Sequence, residues 1–208
     1  VDDIHGWNFV DNTGDVTDGY GHGTHVAGIV GAVGNNGIGV AGVNWQVSLM
    51  ALKFEDSRGI GYTSSVLAAL NYATMMRRDH GIDIVATNNS WQSLGGFSSL
   101  VQDAIRAEGD AGIVFVAAAG NNGSDNDVTP SYPACYRLPN TITVAAIDGS
   151  GALAGLSNYG ATSVDLAAPG IMIESTFPGG GYGMLSGTSM AAPQVTGVVA
   201  LVAAARPG

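Results

Sequence analysis

The run Gly112-Ile113-Val114-Phe115-Val116-Ala117-Ala118-Ala119 constrains the fold of this chain most. It is of strand length, has no polar side chain and ends in the turn Gly120-Asn121-Asn122-Gly123. A strand without a polar face must be covered on both sides, which is the situation of a central strand in a parallel sheet. Its surroundings agree. Strands are expected at Gly6–Val10, Gln46–Phe54, Ile82–Asn88, Thr141–Ala146 and Ser163–Leu166. Helical spacing of Val26, Ile29, Val30 and Val33 predicts a helix within Gly21–Ala32. A second helix runs from a Thr63-Ser64 cap to a stop at Gly81, and a third covers Phe97–Ala107. Strand and helix alternate from Gln46 to Ala119. That predicts an α/β fold in three layers, a doubly wound, mostly parallel sheet with helices on both faces. In such sheets a site forms outside the carboxyl ends of the strands. His22, Ser90-Trp91, Asn121 and Ser189 all follow strand ends or open helices, so they are expected to converge there.

Composition narrows the partners. The 208 residues suit one domain, taken as residues 1–208. Seven basic against 17 acidic side chains give a net charge of −10, which argues against nucleic acid or an anionic membrane as partner. The single Cys135 leaves no internal disulfide. The apolar run Val195–Ala205 is read as one buried helix, too short and too interrupted by Gly197 for a membrane span. Val1-Asp2-Asp3 has no Met and no basic start, and Ala205-Arg206-Pro207-Gly208 stops just after a helix. The chain is therefore read as one domain truncated at both ends.

The chemistry starts at Gly187-Thr188-Ser189-Met190-Ala191-Ala192-Pro193. Ser189 would sit in the first turn of the last helix, where backbone N–H groups have no intrahelical acceptor and an anion is stabilised. A serine nucleophile needs that setting and a base; a plain helix cap is the other reading of the same Ser. His22 and His25, three apart, are either metal ligands or buried histidines, but no third ligand follows at a zinc-like spacing. Asp11, Thr13, Asp15 and Asp18 place oxygens at near-alternate positions, which suits either a hard cation or a solvated acidic turn. The turn-rich Asn35–Val43 is a loop whose carbonyls could wrap an ion.

Three blocks, Gly21-His22-Gly23-Thr24-His25-Val26-Ala27-Gly28, Ala118-Ala119-Gly120-Asn121 and Gly187–Pro193, resemble the subtilisin-like serine peptidases, or subtilases. Asn89-Ser90-Trp91 and Ala168-Pro169-Gly170 fall between them in the family's order. The resemblance implies a subtilisin-like fold and an endopeptidase acting through an acyl-enzyme. In it Ser189 is the nucleophile, His22 the general base and Asn121 the side-chain donor of the oxyanion hole. His25 looks structural. Ser90, Trp91 and Gln92 look like the edge that pairs with substrate backbone. Ala118, Ala119 and Gly120 would form the facing wall of the first specificity pocket, and Gly59-Ile60-Gly61 resembles the opposing substrate-binding strand. Asn36, Ile38 and Val40 match a loop that holds structural Ca2+ in many members. The family also implies polypeptide substrates, a monomer and a secreted location.

The departures are specific. Gln92 falls where the family has Gly, unless Ser93-Leu94-Gly95-Gly96 is the true match, and Gln194 stands where His is common. The family's aspartate ends a strand in an Asp-Ser/Thr-Gly turn well before the histidine block. Asp11-Asn12-Thr13-Gly14 lies too close to His22 to be that turn, so the chain is read as beginning downstream of its catalytic aspartate. An α/β-hydrolase esterase is excluded, because position 191 is Ala and no His follows Ser189. A protease-like binding module lacking the acid is the alternative.

Overall fold

The computed structural model describes residues 6–93 and 95–206. Leu94, the Val1-Asp2-Asp3 start and Pro207-Gly208 lie outside the described residues. In chain order the elements are β1 (Trp7–Asn8), α1 (His22–Gly31), β2 (Leu52–Lys53), α2 (Thr63–Arg78), β3 (Ala86–Asn89), α3 (Ser99–Asp110) and β4 (Val114–Ala118). They continue with β5 (Thr141–Ile147), β6 (Leu166–Pro169), β7 (Ile173–Phe177), β8 (Gly181–Leu185) and α4 (Thr188–Ala205).

The apolar run becomes β4, inside a four-stranded parallel sheet of order β3-β4-β5-β6. Its side chains alternate between two cores, as the two-residue period of a strand requires. Phe115 and Ala117 join Val66, Leu70, Val101 and Ile105 from α2 and α3. Val116 and Ala118 join Val144 and Ala146 of β5 and Ala191, Ala192 and Val195 of α4. Helices therefore cover both faces, and Phe115 and Val116 are completely buried. Burying each such side chain contributes about 1.5–3 kcal/mol.

A second limb holds β1 paired in parallel with β2, and α1 lying on the antiparallel hairpin β7–β8. α1 approaches the hairpin closely because Gly28 faces it; a Cβ there would lie 2.3 Å from the Thr176 hydroxyl. His25 is fully buried in this contact, with Nε2 3.0 Å from the Ile173 carbonyl and 3.1 Å from the Gly183 carbonyl. A nitrogen facing two acceptors carries the proton, so His25 donates into the hairpin and binds no metal through Nε2.

Several expectations shift. Gln46–Phe54 contributes only Leu52–Lys53 as strand, and Ser163–Leu166 gives way to Leu166–Pro169. Thr63 and Ser64 lie inside α2 rather than capping it, whereas α3 is capped by Ser98, whose Oγ accepts from Val101 N at 3.5 Å. The β7–β8 hairpin was not anticipated, although Phe177-Pro178-Gly179-Gly180-Gly181 carries a turn signal. α4 starts at Thr188 and spans 18 residues, so by length and composition alone it could cross a membrane. Only its first half is buried: Val198, Leu201 and Val202 are about half exposed. The reading of Val195–Ala205 as one buried helix is thus corrected, because the packing that encloses Thr188–Gly197 does not extend to the C-terminal half of α4.

Candidate active site

The last helix begins where the sheet ends. Ser90 follows β3, Asn121 follows β4, and these neighbouring parallel strands deliver both to the first turn of α4. The Ser90 hydroxyl donates to the Ser189 carbonyl at 2.9 Å, and the Ser189 hydroxyl donates to the Ser90 carbonyl at 3.3 Å. Asn88 Nδ2 donates to the Ser90 hydroxyl at 2.9 Å, which fixes that contact from the strand side.

Asn121 is held by its acceptor end. Its Oδ1 accepts from Thr188 N at 2.8 Å and from the Thr188 hydroxyl at 3.0 Å. The Thr188 oxygen in turn accepts from Gly120 N at 3.1 Å, and Thr188 is fully buried. With Oδ1 committed, what the Asn121 amide has left to offer is its Nδ2 donor, on an exposed residue. The Ser189 backbone N–H lies in the same helical turn, where the helix offers no acceptor. Gly120 has φ 112°, and a Cβ there would meet Asn158 Nδ2 at 2.4 Å, so only Gly makes this corner. Thr188 is a residue the sequence reading missed: beside Ser189 it looked like part of a small-residue turn.

His22 is the first residue of α1 and half-buried. Desolvation, then the nearby His25, lowers its pKa below the ordinary histidine value, against an opposing pull from Asp18. The imidazole is therefore held neutral, as a proton acceptor must be. Among the described residues no hydrogen bond joins His22 to Ser189 or to a carboxylate; its ring neighbour is Tyr20, 6.3 Å between centroids. Asp18 is otherwise engaged. It accepts from Tyr20 N, Gly21 N, Thr24 N and the Thr24 hydroxyl, which ties down the start of α1. Burial raises its pKa, but those four bonds outweigh burial and hold it low. Asp15 and Asp11 likewise serve Thr17 N and Asn8 Nδ2. These carboxylates tie the acidic loop to its own backbone and side chains. Next to it, Glu55 is pushed up to about 6 by burial, with Asp18 and Asp56 adding to the effect.

The remaining candidate residues fall into two groups. Trp91 lies beyond Ser90 with its ring edge-on to Phe54, 6.0 Å between centroids, and Gln92 is exposed. Ala118, Ala119 and Gly120 are buried at the end of β4; Ala119 O accepts Asn126 Nδ2 and Gly120 O accepts Asn158 N. Gly59 and Gly61 sit in a tight turn closed by the Glu55–Gly61 bridge, with Gly59 against the Tyr20 ring and so on the His22 side. Asn36, Ile38 and Val40 lie beyond the C-terminal end of α1, away from the end that carries His22. There Asn35, Gly37 and Gly39 alternate at positive φ, and Asn36 Oδ1 accepts Ile38 N at 3.0 Å. A set of one amide oxygen and backbone carbonyls fits a hard cation in kind.

Comparison with known proteins agrees with this arrangement. The family described as the Subtilase family matches residues 1–208. Thermitase of Thermoactinomyces vulgaris is 42% identical over 202 residues, 96% of this chain and 67% of thermitase. Subtilisin NAT of Bacillus subtilis subsp. natto is 42% identical over 193 residues, 91% of this chain and 47% of that protein. A crystal structure of a cold adapted subtilisin-like serine proteinase superposes with a TM-score of 0.83 at 34% identity, covering 98% of this chain and 68% of that one. The chain thus spans from about half to about two thirds of these relatives. With the parallel sheet, both helical layers and the Ser189–Asn121 turn in place, the chain belongs to the subtilase family.

Proposed function

We propose that this chain carries the nucleophile, base and oxyanion hole of a serine endopeptidase that hydrolyses peptide bonds through an acyl-enzyme. The observation that carries the reading is the pair of hydrogen bonds from Thr188 to Asn121 Oδ1, which leaves the Asn121 amide nitrogen as a donor at the turn that opens α4. Such a pair of preorganised donors stabilises the oxyanion that forms when Ser189 Oγ attacks a scissile carbonyl. His22, held neutral, takes the Ser189 proton and returns it to the leaving amine. In the resting arrangement Ser189 Oγ donates to the Ser90 carbonyl, so it must turn from that weak 3.3 Å bond to His22 as substrate enters.

Ser90, Trp91 and Gln92 would pair with the substrate backbone on one side and Gly59 and Gly61 on the other, with Ala118, Ala119 and Gly120 as the wall of the first specificity pocket. The acid that orients His22 would come from a further strand. Among the described residues β2 and β3 each leave one edge of their sheet unpaired, and such a strand would seat on an edge of this kind. Asn36, Ile38 and Val40 would hold Ca2+, which would brace the loop after α1 and take no part in the chemistry. Polypeptide substrates, a monomeric state and secretion belong to the same reading.

Ser189→Ala in the full-length protein should abolish cleavage of a chromogenic peptide, and unchanged hydrolysis would sink the assignment. A second reading is a protease-like module that binds peptides without cleaving them. It draws on His22 having no carboxylate partner among the described residues. Peptide binding with no turnover by the full-length protein would favour it.

A further inference from the structure

Glu108 occupies a place where α3 ought to be apolar. It continues the buried stripe of Val101, Ala104 and Ile105 and is itself completely buried. Among the described residues its Oε1 has no hydrogen-bond partner. Its Oε2 accepts the Thr87 hydroxyl at 2.9 Å. The Thr87 oxygen accepts Asn89 Nδ2 at 3.1 Å, and Asn89 Oδ1 accepts Trp91 Nε1 at 3.0 Å. Residues 87 and 89 share one side of β3 by the two-residue period of a strand, and Trp91 follows in the segment just beyond it. Every donor in the series points toward Glu108. Trp91 stands next to Ser90, whose carbonyl holds the Ser189 hydroxyl.

We propose that Glu108 is a positioning residue for Trp91, and that the Thr87–Asn89 relay carries its state to the wall of the peptide cleft and biases which substrate side chains fit. That Trp91 faces substrate rests on the peptidase reading above; the relay stands without it. A buried carboxyl with one orphan oxygen is costly where an apolar side chain would pack freely. Bonds in series polarise one another, so a charge gained at Glu108 draws in each donor and tightens the Trp91 N–H bond. Burial pushes the Glu108 carboxyl up to about 8, with the Thr87 bond pulling the other way. Charged groups around it are otherwise occupied. β3 and β4 carry none; Arg77 of α2 bonds the Ala111 carbonyl and Asp83, Arg78 pairs with Asp79, and Arg106 of α3 pairs with Asp103. Asp110, also on α3, is exposed.

The test reads the indole N–H signals of the 15N-labelled full chain from pH ~6 to ~10. Trp91→Phe identifies the Trp91 signal, and Trp7 and Trp45 serve as controls. The Trp91 proton should move downfield with an apparent pKa near 8. In Glu108→Gln, which keeps the shape and the acceptor, that movement should vanish; in Thr87→Ser it should survive, and in Thr87→Val it should be lost. A flat wild-type signal, or one that still titrates in Glu108→Gln, overturns the relay. Paired peptide substrates with large and small side chains complete the test: Glu108→Gln should change their kcat/KM ratio about tenfold through KM. An unchanged ratio while the signal titrates overturns the positioning role. A titrating signal in a full-length protein that cleaves nothing overturns the peptidase reading and leaves the relay intact.

Discussion

The first turn of α4 and the first turn of α1 hold the two halves of the candidate site, and they are built in opposite ways. At α4, Ser90, Gly120, Asn121, Thr188 and Ser189 are laced by hydrogen bonds of 2.8–3.3 Å, and Thr188 is fully buried. At α1, His22 has no hydrogen-bond partner recorded among the described residues; burial and neighbouring charge set its state. Donors that must meet a developing charge gain from being fixed beforehand, since nothing has to reorganise as the charge appears. A base that must accept a proton and give it back gains from being tuned and reachable instead.

The largest effects should test whether both halves act together. His22→Ala should cost about as much as Ser189→Ala, roughly 10⁴-fold or more in peptide hydrolysis by the full-length protein. A loss below tenfold in His22→Ala would break the pairing of the two turns. Asn121→Ala should cost about 10²–10³-fold in kcat with KM little changed, because its donor acts only on the transition state. A change confined to KM would place Asn121 in ground-state binding.

The pH profile sharpens the α1 side. Only neutral His22 can accept a proton, and its pKa lies below the ordinary histidine value, with desolvation the first cause. Activity should therefore fall as pH drops through the range where His22 takes up a proton, and a profile with no acid limb would remove His22 as the base. The smallest effect should come from the far end of α1. Removing Ca2+ with EDTA should lower Tm of the full-length protein by roughly 5–10 °C while leaving the resting Ser189–Asn121 turn intact. A Tm indifferent to EDTA would remove the cation from Asn36, Ile38 and Val40.

Much of this was legible from residue order because its causes are local. The apolar run Val114–Ala118 has one sensible place, between two helical layers, and the structure puts it there. The small-residue turns around His22 and Ser189 mark helix starts, and α1 and α4 begin at His22 and Thr188. Signals faded where neighbours decide. Two-residue strands such as Leu52–Lys53 have no period of their own, and the β7–β8 hairpin depends on α1 lying across it through Gly28. Thr188 was overlooked for a related reason: nothing beside it in the chain shows that its hydroxyl braces an amide 67 positions away.

The sequence by itself determined the alternation that makes a parallel sheet, the family blocks and the identity of the chemical groups, since backbone preference and side-chain type act over a few residues. Tertiary structure decided which groups meet. The Ser90–Ser189 exchange spans 99 positions and the Glu108–Thr87 bond 21. A carboxyl that looks like one more polar residue of an amphipathic helix becomes the buried end of a relay only when β3 is laid against it. Burial and hydrogen-bond geometry are properties of that packing, and no spacing along the chain encodes them.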